Sequence, residues 1–186
     1  MSTDSERLDS FIWPAEFFCT IITEGVILPN HYTIKISVAP MAVKNSNINL
    51  GFKKIKYFID NQLNNSILLN ESSEFKSNLT TVNNNLVLLP QEPYDYFLAS
   101  VLFTKISVIV EKYFTITHLS LDSVVGDRVQ YTVNYENLMD LEIDNKYWWN
   151  QDSVNTGCDH KITWDSLNLK DEPTFIPKVI QGGLKG

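Results

Sequence analysis

Few residues of this chain belong to the types that perform chemistry, and their spacing keeps them apart. The histidines are His31, His118 and His160, and the cysteines are Cys19 and Cys158. Cys158-Asp159-His160 sets a thiol, a carboxylate and an imidazole in a row, all metal-ligand types. Adjacent residues rarely converge on one ion, however, and no second pair follows at metal spacing, so a solvent-exposed tail is the preferred reading. His118 lies in an alternating segment and reads as a hydrogen-bonded sheet histidine rather than a general base. Asp122 and Asp127 flank a turn containing Gly126, where aspartate serves local hydrogen bonds more often than paired-carboxylate catalysis. Neither a glycine-rich phosphate loop nor a nucleophile elbow is present. The residues therefore nominate no catalytic group, no metal site and no cofactor.

Composition narrows the partners. The chain has 186 residues, enough for one domain with extensions and a real core. A net charge of −7 and a pI near 4.9 argue against sequence-independent nucleic-acid binding, which needs clustered basic residues. The densest basic group, Lys53, Lys54 and Lys56, fits the solvated face of a helix. Residues 1–10 carry no signal-peptide pattern, and the apolar runs near Phe97–Phe103 and Ile106–Val110 are too short and too polar for a membrane span. Two distant cysteines fit a reducing compartment, so a cytoplasmic protein is expected, in host cytoplasm if viral. The sequons at Asn64, Asn70 and Asn78 read as chance in an Asn-rich chain. Richness in Asn, Lys and Ile is compatible with an AT-rich genome, such as that of a phage or a low-GC bacterium.

The elements that must position these groups follow from periodicity. Glu16–Thr23 and Tyr32–Ala39 alternate with period two and read as strands joined through Glu24–Asn30. Phe52, Ile55, Phe58, Ile59 and Leu63 recur at helical spacing, and Asn64 and Asn65 end that helix. Ile67–Leu69 and Leu86–Leu89 are short strand candidates on either side of a polar surface excursion, Glu71–Asn85. Pro93 opens a second helix, with Asp95 in its first turn and Lys112 in its last, where each charge complements the helix dipole. Thr115–Leu121 and Arg128–Tyr135 form a terminal hairpin. The expected fold class is α+β: a ββ-α-α-ββ antiparallel four-stranded sheet with two helices packed on one face, plus an irregular C-terminal arm. Its edges would be strands of the first and last hairpins, which must pair between subunits or be covered by the arm.

Three local patterns resemble the tunnelling fold (T-fold) of the 6-pyruvoyl- and 6-carboxy-tetrahydropterin synthases. They are Leu28-Pro-Asn-His31-Tyr32 leading into a strand, Gln62 to Asn70 closing the first helix, and Pro93 to Ala99 opening the second. The resemblance covers residues 16–135 and implies subunits closed into a ring. It also implies zinc held by three histidines, a nucleophilic cysteine, a catalytic histidine and a ring-anchoring glutamate. Of the histidine set only His31 matches, with Pro29 at the other half of the His-x-His pair; one imidazole cannot supply a three-ligand zinc site. The cysteine has no counterpart between Glu24 and Pro29, and Asn64-Asn65-Ser66 offers no histidine. Asp122 or Ser123 stands where the anchoring glutamate falls. The synthase reaction and its zinc are thus not expected, and His31, Asp122 and Ser123 remain as candidate ligand-binding residues.

The organisation expected is an N-terminal extension over 1–15, a T-fold-like domain over 16–135 and an acidic, aromatic arm over 136–186. The arm holds nine acidic and five basic residues, with Trp148, Trp149 and Trp164 spaced through polar sequence. It packs back on its own domain, lies across a neighbouring subunit or partner with those tryptophans as anchors, or stays disordered. Two functions remain open. The first, preferred, is a non-enzymatic, homo-oligomeric binding or scaffolding protein, with a protein partner reached through the arm. The second is a divergent purine- or pterin-type heterocycle-binding protein or enzyme with its site at a subunit interface.

Overall fold

The computed structural model describes residues 11–40, 48–81, 85–139, 141, 147–154 and 156. Strands β1 (Phe11–Thr23) and β2 (Val26–Pro40) form one long antiparallel hairpin. Pairing Phe17 with Tyr32 puts Phe17, Cys19, Ile21, Tyr32, Ile34, Ile36 and Val38 on one buried face. The connection is a two-residue turn, Glu24-Gly25, with both φ angles positive, the geometry that suits the twist of a hairpin. Glutamate is an unusual choice there. Tertiary contacts hold it: the Glu24 amide donates to Glu92 Oε2 (3.2 Å) and Tyr94 Oη donates to Glu24 Oε1 (2.8 Å). The segment Val26–Asn30, expected as connection, is therefore strand, and β1 starts at Phe11 rather than Glu16.

Helix α1 (Ile48–Phe58) runs into a π-turn over Ile59–Leu63, closed by the Asn64 amide on the Ile59 carbonyl. Then come β3 (Ser66–Asn70), a short helix α2 (Lys76–Thr81), β4 (Leu86–Leu89), the long helix α3 (Asp95–Val110), β5 (Phe114–Ser123) and β6 (Tyr131–Val133). The six strands lie in the order β4-β3-β1-β2-β5-β6. The four-stranded antiparallel sheet expected from the sequence is thus only part of a mixed sheet. It is present as β1-β2-β5-β6, and β3 and β4 extend it in parallel. Leu68, Val87 and Leu89 join the main core, so these strands extend its floor. Within the polar surface excursion Glu71–Asn85, Lys76–Thr81 forms the short helix α2, with no buried residue. Pro93 precedes the α3 N-cap, Tyr94, instead of taking the first helical position, and α3 ends before Lys112.

The two long helices share one face of the sheet, as expected. Helix α3 is buried nearly all round, from Phe97 to Val110, which fits a central helix. Each fully buried Leu, Ile or Phe contributes on the order of 1.5–3 kcal/mol. On the opposite face, Phe75 and Leu79 near α2 cover a small cluster of Ile22, Leu69 and Leu86. Among the described residues, the rest of that face, across β1, β2, β5 and β6, carries no helix.

The outermost strands are β6, a strand of the last hairpin as expected, and β4, which takes the place expected for a strand of the first hairpin. Trp148 Nε1 donates to the Leu88 carbonyl of β4 (3.0 Å), and Asn137 Nδ2 donates to the Thr132 carbonyl of β6 (3.0 Å). Strand β3 pairs with β1 only along Cys19–Ile22, which leaves the earlier part of β1 beyond its reach. Phe18 there is capped by Asn64 Oδ1 on its amide and the Asn65 amide on its carbonyl. Pro14 shares the outward parity of Phe18, so its missing N–H falls on the open side, a device that blunts edges.

Gly51 tests the packing. A Cβ there would lie 2.6 Å from the ring of Phe114, which stacks on Phe52, and 3.0 Å from Tyr113 Cβ. Alanine gains about 1 kcal/mol of helix propensity, whereas forcing atoms into a packed core costs about 1–3 kcal/mol. Gly51→Ala is expected to lower stability in urea unfolding, and an unchanged or raised midpoint would contradict this packing.

Candidate functional site

The three residues nominated for ligand binding fall on two sides of the sheet. Asp122 and Ser123 are neighbours on β5, and strand alternation sends them to opposite faces. His31 and Asp122 meet on the helix-free face through Arg128, while Ser123 is buried beneath them.

On the open face, Arg128 organises the group. Its Nη1 donates to Asp122 Oδ1 (2.9 Å) and Thr33 Oγ1 (3.0 Å), and its Nη2 lies 3.2 Å from His31 Nδ1. His31 Nε2 lies 3.2 Å from Glu16 Oε2, and the imidazole stacks on Phe18 with centroids 4.2 Å apart. Because a guanidinium can only donate, its contact requires an acceptor Nδ1 and places the imidazole proton on Nε2, toward Glu16. The backbone explains how Arg128 reaches this position. Asp127 and Arg128 both adopt left-handed conformations (φ 53° and 59°), and the Arg128 amide closes the loop on the Ser123 carbonyl (2.8 Å). The turn folds the side chain back over β5 and β2, at a backbone cost of roughly 1–2 kcal/mol per residue. Hence Arg128 belongs to the turn, and β6 is shorter than the expected Arg128–Tyr135.

Beneath the sheet lies a second polar group. Ser123 Oγ donates to Asp95 Oδ2 (2.7 Å) at the start of α3 and accepts from the Gly126 amide (2.9 Å). Asn30 Oδ1 accepts from the His31 amide (2.9 Å) and the Val125 amide (3.1 Å). Asn30 Nδ2 and Tyr32 Oη are buried without a partner of hydrogen-bonding geometry, although Asp95 lies close to Tyr32. Burial raises the Asp95 pKa against the hydrogen bond from Ser123. Burial and Asp95 push the Cys19 thiol up to about 12 and raise the Tyr32 hydroxyl as well. Gly126 packs directly against the Asp95 carboxylate, where no side chain fits.

This arrangement can bind but offers little for reaction. Glu16, His31, Arg128 and Asp122 on the open face are engaged with one another, and burial favours the neutral form of the Cys19 thiol. Among the described residues no group of three or more His, Cys, Asp and Glu could hold a metal ion, and no helix is long and apolar enough to cross a membrane. His118 stands on the open face with Nδ1 3.0 Å from Thr117 Oγ1. Arg128, Glu16 and Phe18 were missed as partners of His31 because alternation shows which face a residue takes but not which strands adjoin. The polar environment of Asp95 was hidden by its position, which equally fits a dipole role.

The tryptophans divide differently. Trp148 and Trp149 sit in a 3-10 turn over Trp148–Asn150, buried against their own domain at 7% and 2% exposure. As placed they pack in the core of their own chain, where α3 needs cover on the side away from the sheet. Trp164 and the Cys158-Asp159-His160 run lie outside the described residues.

No protein-family model and no curated protein matches the chain. Among solved structures it is similar to a catalytic-residue mutant of Plasmodium vivax 6-pyruvoyltetrahydropterin synthase. The identity is 9%, over 67% of this chain and 96% of that one, with a TM-score of 0.46. No residue role is transferred by this likeness.

The environment of Cys19 sets an expectation for pH. A thiol pushed from 9.0 to about 12 is favoured neutral in the folded state, so its contribution to stability is present below pH 9.0 and lost as pH rises toward 12. In the native protein Cys19 is expected to resist iodoacetamide at mildly alkaline pH and to react fully only in denaturant. Peptide mass mapping that finds native Cys19 alkylated as fast as denatured would contradict this burial.

Proposed function

We propose that the protein is a non-enzymatic, homo-oligomeric binding or scaffolding protein that recognises its partners with the helix-free face of the sheet. One observation carries this reading. That face presents Ile12, Phe18 and Ile27 at 66%, 54% and 57% exposure around the Glu16–His31–Arg128–Asp122 group. A solvated sheet face ordinarily carries polar residues at such positions, and apolar groups ringed by polar ones mark association surfaces. The polar groups are already paired with one another, which favours recognition over proton transfer.

The buried group supports a second reading, binding of a purine- or pterin-type heterocycle. Asn30, Tyr32 and Asp95 gather polar atoms beneath the sheet, and Asn30 Nδ2 and Tyr32 Oη lack a hydrogen bond of good geometry within the chain.

Light scattering on the full chain tests the first reading. The protein is expected to run as a discrete oligomer across the micromolar range, and Phe18→Glu with Ile27→Asp to shift it toward monomer with unchanged far-UV circular dichroism. A native chain that stays monomeric throughout would defeat the proposal. A stoichiometric co-purified heterocycle seen by native mass spectrometry would turn the assignment to the second reading.

A further inference from the structure

We propose that residues 147–154 and Thr156 form a strap over α3 and the β4 edge, and that Lys105 latches it as a buried cation. Among its described residues the strap contains no strand, and it is tied down at three places. Lys105 Nζ, projecting from α3, donates to the carbonyls of Trp148 (2.7 Å), Gln151 (2.8 Å) and Ser153 (2.5 Å). Trp148 Nε1 donates to Leu88 on β4. At the far end, Gln62 Oε1 in the π-turn accepts from the amide (3.2 Å) and hydroxyl (3.4 Å) of Thr156.

The geometry around Lys105 is that of a cation site. The side chain is fully buried, its ammonium has three N–H groups, and the shell supplies three carbonyl oxygens. The Trp148 ring adds its face, with the centroid 5.9 Å from Nζ. Burial pushes the Lys105 pKa down, against the pull of Asp152 on the strap. The acceptor count opposes that push. A neutral amine has two donors, so it would leave one buried carbonyl unpaired and turn its lone pair toward it. Charge-assisted bonds are also the stronger kind, and three of them favour the charged form inside the closed strap.

The latch has a consequence for the sheet. Trp148 reaches Leu88 only while the strap is down, and it also lies beside Phe58, with centroids 6.2 Å apart. Lifting the strap uncovers the β4 edge and this apolar contact together. Lys105 therefore helps to keep that edge closed, together with the Trp148 and Thr156 contacts.

Hydrogen exchange of the full chain, read by mass spectrometry, tests the latch. Lys105→Ala is expected to speed exchange of amides in 147–156 by about tenfold or more, the effect of losing bonds to a charged group, while β1 and β2 stay protected. Methylammonium chloride, which can refill the carbonyl cage, is expected to restore protection, and sodium chloride at equal ionic strength is not. If Lys105→Ala loses protection in β1 and β2 as well, Trp148→Phe serves instead. It keeps an aromatic ring, deletes the donor to Leu88, and should speed exchange in the strap alone. Unchanged strap exchange in the variant that folds would overturn the latch. So would wild-type strap protection that rises between about pH 6 and about pH 9 after correction for intrinsic rates. A closed state of lowered lysine pKa gains stability with rising pH, whereas a latch charged throughout gives no slope.

Discussion

A two-residue turn at Glu24-Gly25 sets the register of the long β1–β2 hairpin, and every other element is placed from it. In a strand, a slip of one residue exchanges the two faces. Here it would carry Glu16 and His31 into the core and Phe17 and Tyr32 into water. Helices α1 and α3 find a continuous apolar floor only in the observed register, and β5 finds its partner in β2 only there. The turn is held from outside by Glu92 and Tyr94, beside the start of α3, so the register and the central helix fix each other.

The same alternation makes two kinds of polar environment a few ångströms apart. Asp122 and Ser123 are consecutive, yet one meets Arg128 over a solvated face and the other meets Asp95 beneath the sheet. The loop from Ser123 to Arg128 serves both. Gly126 allows the loop to lie against the Asp95 carboxylate, and the left-handed Asp127 and Arg128 return the guanidinium to the open face. Recognition chemistry and structural chemistry therefore share one short loop, and a change in either alters the other.

Edge protection is distributed over residues that no local pattern marks. Asn64 and Asn65 cap Phe18, Asn137 caps Thr132, and Trp148 caps Leu88. Each supplies a hydrogen bond that water or another chain would otherwise take. The abundance of asparagine, uninformative as composition, has this use at two of the three places.

Periodicity in the sequence alone determined the α+β class, the two long helices, and the strands of the first and last antiparallel hairpins. These rest on local repeats of 2 and 3.6 residues, which survive in a linear string. Only the tertiary structure decided that β3 and β4 join the same sheet, because a four- or five-residue apolar run fits a parallel strand or a packing segment equally well. It also decided that His31 sits among Glu16, Phe18 and Arg128, that Asp95 is half-buried beside Cys19 and Tyr32, and that Trp148 and Trp149 are core. Those placements depend on which elements lie side by side. A contact between Lys105 and Trp148, 43 residues apart, leaves no periodic trace for a sequence to show.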